Sequence, residues 1–135
     1  MNLIPMEVGA GVARIAETGA RTSLTPPVAE GDVLLGIRPE RLSLTRPDEP
    51  GAVTAYVASA ENLGGETVIG FRFHDILDDT VVASEDPGGT HHARVSGAPP
   101  ISVGDRIGLA IPADGLCWFD TETGLVLKQS SVVEA

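Results

Sequence analysis

Glu61-Asn62-Leu63-Gly64-Gly65-Glu66-Thr67-Val68-Ile69-Gly70-Phe71-Arg72-Phe73 is a turn feeding a strand, and the remainder of the chain is read around it. Asn62 and the Gly64-Gly65 pair tolerate positive φ, so the backbone can reverse there. From Thr67 the pattern alternates: Thr67, Ile69, Phe71 and Phe73 fall on one face, Val68, Gly70 and Arg72 on the other. This predicts a half-buried strand carrying two of the three phenylalanines. Gly51 to Ala60, small and apolar with Val53, Tyr56 and Val57, is predicted as the preceding strand of a hairpin-like pair.

A chain of 135 residues makes one domain, or two very small ones sharing a core, and buries roughly two-thirds of its unfolded surface on folding. Sixteen glycines and ten prolines between short apolar runs favour many short strands over long helices. The formal charge of −10 opposes binding to phosphate backbones and anionic membranes. The single cysteine, Cys117, excludes an internal disulfide and suits a reducing compartment. No apolar run approaches membrane-spanning length and no charged-then-apolar leader opens the chain, so a soluble cytosolic domain is expected.

Pro5 interrupts the apolar run Met1 to Val8 and predicts an edge strand or the lead-in to one. Val12 to Glu17 is a second strand candidate, and Thr18-Gly19 turns the chain into Ala20 to Leu24, which Pro26-Pro27 ends. Val33, Leu35 and Ile37 share one face of the next strand. Arg38-Pro39-Glu40-Arg41 is a charged kink, with Arg38 extended because proline follows it and with Arg38 and Glu40 expected to pair locally. Leu42 and Leu44 resume the apolar pattern before the surface connection Arg46 to Pro50. Further on, Val81 to Ala83 is a short apolar run and Asp86-Pro87-Gly88-Gly89 a loop. His92 to Val95, then Ile107, Leu109 and Ile111, then Leu116 to Phe119, then Leu125 to Leu127 read as strands separated by turns. Residues 128–135 are expected to form a frayed tail.

Most site chemistry is missing. ATP hydrolysis needs a glycine loop with a lysine and a hydroxyl residue, and the only lysine, Lys128, lies outside any such loop. Leu63-Gly64-Gly65-Glu66 superficially resembles the glycine-rich signature of transporter ATPases, but β-branched and aromatic residues follow it where that motif opens a helix. His74, His91, His92 and Asp78-Asp79 suggest a metal site, yet adjacent strand histidines point to opposite faces, and surface histidines beside a loop are the simpler reading. Cys117 before Trp118 reads as a packed, inert thiol. Asp114, Asp120 and Glu122 read as solvated turn carboxylates. The chain is therefore not expected to be an enzyme, and no catalytic, cofactor or metal residue is assigned.

Three segments taken in order carry a resemblance: Leu35-Gly36-Ile37-Arg38-Pro39-Glu40, then Glu61 to Thr67, then Val103-Gly104-Asp105-Arg106 leading to Phe119-Asp120-Thr121-Glu122-Thr123-Gly124. Together they resemble the C-terminal regulatory domain, the transport-associated OB domain, of ATP-binding subunits in maltose- and glycerol-phosphate-type ABC importers. Met1-Asn2-Leu3-Ile4-Pro5 is similar to the junction where such subunits leave the ATPase domain. The likeness covers nearly the whole chain, so residues 1–135 are expected to form one regulatory domain. It implies an all-β fold, an OB-fold-like barrel with an interleaved second small β subdomain. The N-terminal strand, the Arg38-Pro39-Glu40 region and the C-terminal end should pack together beside the barrel.

The resemblance further implies that the domain helps two ATPase subunits stay paired and receives inhibitory signals from a regulatory protein. Its implied partners are the ATPase domain, a second copy of the subunit and, through the ATPase domain, the importer's membrane subunits. The implied location is cytoplasmic, peripheral on the inner face of the plasma membrane. Glu61, Asn62 and Phe119 are the residues it points to for contacts across the pair. Two departures from the family pattern stand out: the ATPase domain is absent, and the segment 76–89 is longer than expected.

Two other readings compete. A small-ligand module for an oxyanion or a sugar is opposed, for anions, by the charge and by the lack of a glycine-rich stretch opening a helix. A nucleic-acid-binding OB fold needs a basic groove with stacking platforms, and five aromatics in an acidic chain do not provide one.

Overall fold

A computed structural model describes residues 1–74 and 90–129. The longer-than-expected segment 76–89, with Asp78-Asp79, the Val81 to Ala83 run and the Asp86 to Gly89 loop, lies outside the described residues, as do residues 130–135 of the tail. Ten strands are present among the described residues: β1 (Asn2–Gly9), β2 (Val12–Ile15), β3 (Gly31–Ile37), β4 (Ser43–Thr45), β5 (Val53–Asn62), β6 (Glu66–Arg72), β7 (His91–Ser96), β8 (Arg106–Ala110), β9 (Cys117–Asp120) and β10 (Val126–Gln129). The last of these carries the chain in strand to Gln129, two residues into the expected frayed tail.

The strands form two antiparallel five-stranded sheets, in the orders β10-β9-β3-β1-β2 and β4-β8-β5-β6-β7. The chain begins in the first sheet, builds the second from β4 to β8, and returns to finish the first. This is an all-β, OB-like barrel with an interleaved second subdomain. The long strand β5 shifts register against β6 between Val57 and Ser59, and such a bulge bends a strand and increases its twist. The second sheet thereby curls until its edges approach one another: β7 packs against β4 and against a 3-10 turn at Pro39–Arg41.

The turn that opens β6 forms for the expected reasons. Gly64 has φ 100°, Asn62 Oδ1 accepts the Gly64 N–H at 2.7 Å, and Leu63 N–H donates to the Glu66 carbonyl at 2.8 Å. Beyond it, Thr67, Ile69, Phe71 and Phe73 are all buried. Phe71 and Phe73 meet edge to face with ring centroids 5.6 Å apart, and fully burying a phenylalanine contributes about 1.5–3 kcal/mol. One core joins both sheets, with Ile4, Met6, Leu35, Ile37 and Trp118 from the first and Val57, Ile69, Phe71 and Leu109 from the second.

Two expectations fail. The run Met1 to Val8 is an interior strand, paired with β3 along Asn2–Val8 and with β2 along Met6–Gly9. Pro5 is tolerated because of where its missing donor points. Its carbonyl accepts Ala16 N–H at 3.0 Å on the β2 side, so its nitrogen faces the same way, just past Ile15, the end of β2. The β1–β3 ladder loses nothing. The second failure is the Arg38–Glu40 pair: no such ion pair occurs among the described residues. Main-chain bonds hold the kink instead, from Arg41 N–H to the Arg38 carbonyl at 3.0 Å and from Leu42 N–H to the Pro39 carbonyl at 3.4 Å. Arg38 itself is extended, with φ −74° and ψ 143°, as the proline after it requires.

Candidate interaction site

Phe119 sits in β9 beside the buried Trp118, so alternation turns its ring to the opposite, outer face of the first sheet. Register places it in a row: Pro5 opposite Leu34, Leu34 opposite Phe119, and Phe119 opposite Val126. Cross-strand partners share a face, so four apolar side chains run side by side across β1, β3, β9 and β10. Phe119 and Leu34 are half-buried, whereas Val126 is 56% exposed and Leu3, on the same face of β1, is 49% exposed. Gly36 supplies the space for the ring, since a Cβ there would lie 2.8 Å from Phe119 Cε2. The result is an apolar outer face on an otherwise acidic molecule.

Glu61 and Asn62 lie elsewhere, at the exposed end of β5 in the second sheet. Glu61 stands opposite Val68 and Asn62 opposite Thr67. The Asn62 side chain holds the turn, as described above. The structure therefore puts the three expected contact residues on two different sheets.

The histidines separate in the way strand alternation requires. His91 is buried against Phe71 and Phe73, with ring centroids 5.7 and 5.4 Å away, while His92 is exposed. His74 pairs with neither; its Nδ1 lies 2.9 Å from Glu17 Oε1. Among the described residues no group of three or more potential ligands is placed to hold a metal ion. Cys117 is a buried free thiol. Asp120 Oδ1 accepts the N–H groups of Glu122 and Thr123 at 2.8 and 3.2 Å, so it organises its turn.

Sequence reasoning did not anticipate a cleft of about 370 Å³ where the edges of the second sheet approach. Glu40, Leu42, Ser43 and Leu44 line one wall, and Arg94, Val95, Ser96 and Pro99 the other. Arg94 donates to Glu66 from the neighbouring strand. That hydrogen bond and charge hold its guanidinium above the usual pKa, with a smaller contribution in the same direction from Glu40. No sequence signal reveals this arrangement, because its walls are about fifty residues apart and only the curl of the sheet brings them together.

The sequence is similar to known proteins along most of its length. Residues 35–119 match the family model described as TOBE domain. The chain is 31% identical over 124 residues to the sn-glycerol-3-phosphate import ATP-binding protein UgpC of Cereibacter sphaeroides, covering 92% of this chain and 31% of that protein. It is 32% identical over 96 residues to UgpC 1 of Rhizobium johnstonii, covering 71% of this chain and 22% of that protein. The chain thus spans less than a third of the length of these relatives. With more than half of its residues inside the family match and the OB-like barrel in place, the chain belongs to the TOBE domain family.

Proposed function

We propose that residues 1–135 act as one regulatory and pairing domain of the ATP-binding subunit of an importer for sugars, polyols or their phosphates. The observation that carries this reading is the match along 92% of the chain to an import ATP-binding protein. Hydrolysis of ATP belongs, on this reading, to the rest of the subunit, and the membrane subunits are reached through that ATPase domain at the cytoplasmic face. No described helix is long and apolar enough to cross a membrane, in keeping with a peripheral role. A regulatory protein would act on the importer through this domain.

The apolar row Pro5, Leu34, Phe119 and Val126 supports the pairing role, since an outward stripe of this kind suits burial against another surface. Glu61 and Asn62 would contribute a second, polar contact from the hairpin end of the other sheet. Sedimentation velocity over a wide concentration range tests this, first on the chain alone and then on the chain fused to an importer ATPase domain. A dimer that the domain strengthens, and that Phe119→Ala weakens, supports the reading. A strict monomer in both forms removes the pairing role.

A further inference from the structure

One wall of the cleft in the second sheet is the main-chain edge of β7, which Asn2 completes at His92 and which no described residue completes beyond it. At His92 both main-chain groups face away from β6, because N–H donates to Asn2 Oδ1 and the carbonyl accepts from Asn2 Nδ2. Gly97 N–H turns the other way and bonds Gly65. The period of two then directs the N–H and carbonyl groups of Arg94 and Ser96 outward, as at His92. Among the described residues nothing bonds these four groups. The lining of the cleft also includes the polar residues Ser43, Ser96 and Glu40 and the apolar residues Leu44, Val95 and Pro99.

This is a set of closely spaced donors and acceptors next to aliphatic surface, in a volume within the roughly 300–1,000 Å³ typical of small-molecule sites. Polyhydroxylated molecules present the complementary pattern, with hydroxyls that both donate and accept around a C–H surface. Charge disfavours anions. Glu66 already engages the one guanidinium, Glu40 stands close to it, and the whole chain carries −10. An anion would have to displace Glu66 and then sit beside Glu40. We propose that this cleft binds a neutral, hydroxyl-rich small molecule of the sugar or polyol class. The site lies on the second sheet and the apolar pairing row on the first, so either role can fail without the other.

Amide NMR of the isotope-labelled chain tests the proposal by titration with glucose, maltose and glycerol, with inorganic phosphate and putrescine as anionic and cationic probes. Saturating shifts at the Arg94 and Ser96 amides with a neutral probe are expected. Glu40→Ala should weaken that binding on the order of tenfold, the loss of a hydrogen bond to a charged group. Ser96→Ala serves as a second variant if thermal melting shows that Glu40→Ala disturbs the fold. The proposal is overturned if none of the three neutral probes gives saturating shifts there, or if only phosphate or putrescine does. Binding unchanged in both variants overturns it as well.

Discussion

Asn2 stands in for a missing strand at His92: its Oδ1 accepts the His92 N–H at 2.8 Å and its Nδ2 donates to the His92 carbonyl at 2.7 Å. The two residues are 90 positions apart and belong to different sheets. The amide therefore completes part of the free edge of β7 and ties the barrel to the subdomain beside it. Asn2 is 6% exposed, so the amide side of both bonds is withdrawn from water, while His92 itself stands at the exposed edge.

Asn2→Ala leaves a donor and an acceptor at His92 without their part-buried partner, and a fully buried stranded group would cost about 1–3 kcal/mol. We expect a total loss of roughly 1.5–3 kcal/mol for the two bonds, read from the urea midpoint with an unchanged denaturant slope. Asn2→Asp keeps the acceptor but sets a carboxylate oxygen against the His92 carbonyl, so it should restore little of the loss. A cost below about 1 kcal/mol for Asn2→Ala would show that water replaces the amide at this edge.

Two glycines separate a steric requirement from a permissive turn. A Cβ on Gly108 would lie 2.1 Å from the Arg46 carbonyl oxygen and 2.4 Å from Thr45 Oγ1. Main chain cannot yield as a flexible side chain does, so Gly108→Ala should cost about 2–4 kcal/mol by prying β4 from β8. At Gly65 a Cβ meets nothing within 4 Å, and Gly65→Ala should stay within about 0.5 kcal/mol of the parent. Thermal unfolding of the two variants side by side checks the contrast.

The hairpin was legible in the sequence because its information is local. Asn62 and Gly64 specify the reversal, and the period-two pattern from Thr67 to Phe73 specifies the buried face. Pro5 misled for a local reason too: proline excludes a paired strand only on the side its missing N–H faces, and here that side lies just past the end of β2. Neither the Asn2–His92 link nor the cleft was readable, because both depend on how a curled sheet brings distant segments together. Phe119 was reached through resemblance, and its outward orientation follows once Trp118 is known to be buried. The Arg38–Glu40 expectation failed because proline geometry and two main-chain bonds already fix that kink.

His74 and Glu17 join the end of β6 to the segment after β2, at 2.9 Å, with side chains 14% and 10% exposed. Among the described residues Glu17 Oε2 has no hydrogen-bond partner, so there the carboxylate depends on the imidazole. Removing one member of a buried pair strands the other. His74→Ala should therefore cost about 3 kcal/mol, whereas Glu17→Gln, which removes the charge and keeps the shape, should cost about 1 kcal/mol. The double variant should be more stable than the sum of the two losses implies, and a double-mutant cycle in urea measures that difference. Strictly additive losses would mean that the pair contributes no coupling.

Gly36 offers a way to test the apolar row without deleting any of it. A Cβ there would come 2.8 Å from Phe119 Cε2 and 2.7 Å from Met1 Sδ, both ends of side chains that can move, and 3.3 Å from the Cys117 carbonyl oxygen. Gly36→Ala should thus fold with a loss of about 1 kcal/mol while displacing the Phe119 ring from its seat. If the row is the pairing surface, this shift weakens self-association of the subunit on the order of tenfold, the effect of about 1.4 kcal/mol. Gly9→Ala, at the far end of β1 where a Cβ meets nothing within 4 Å, serves as the control and should leave pairing unchanged. Sedimentation velocity on the two variants decides the matter. Equal dimerisation in both would move the contact away from Phe119 and toward the Glu61–Asn62 end of β5.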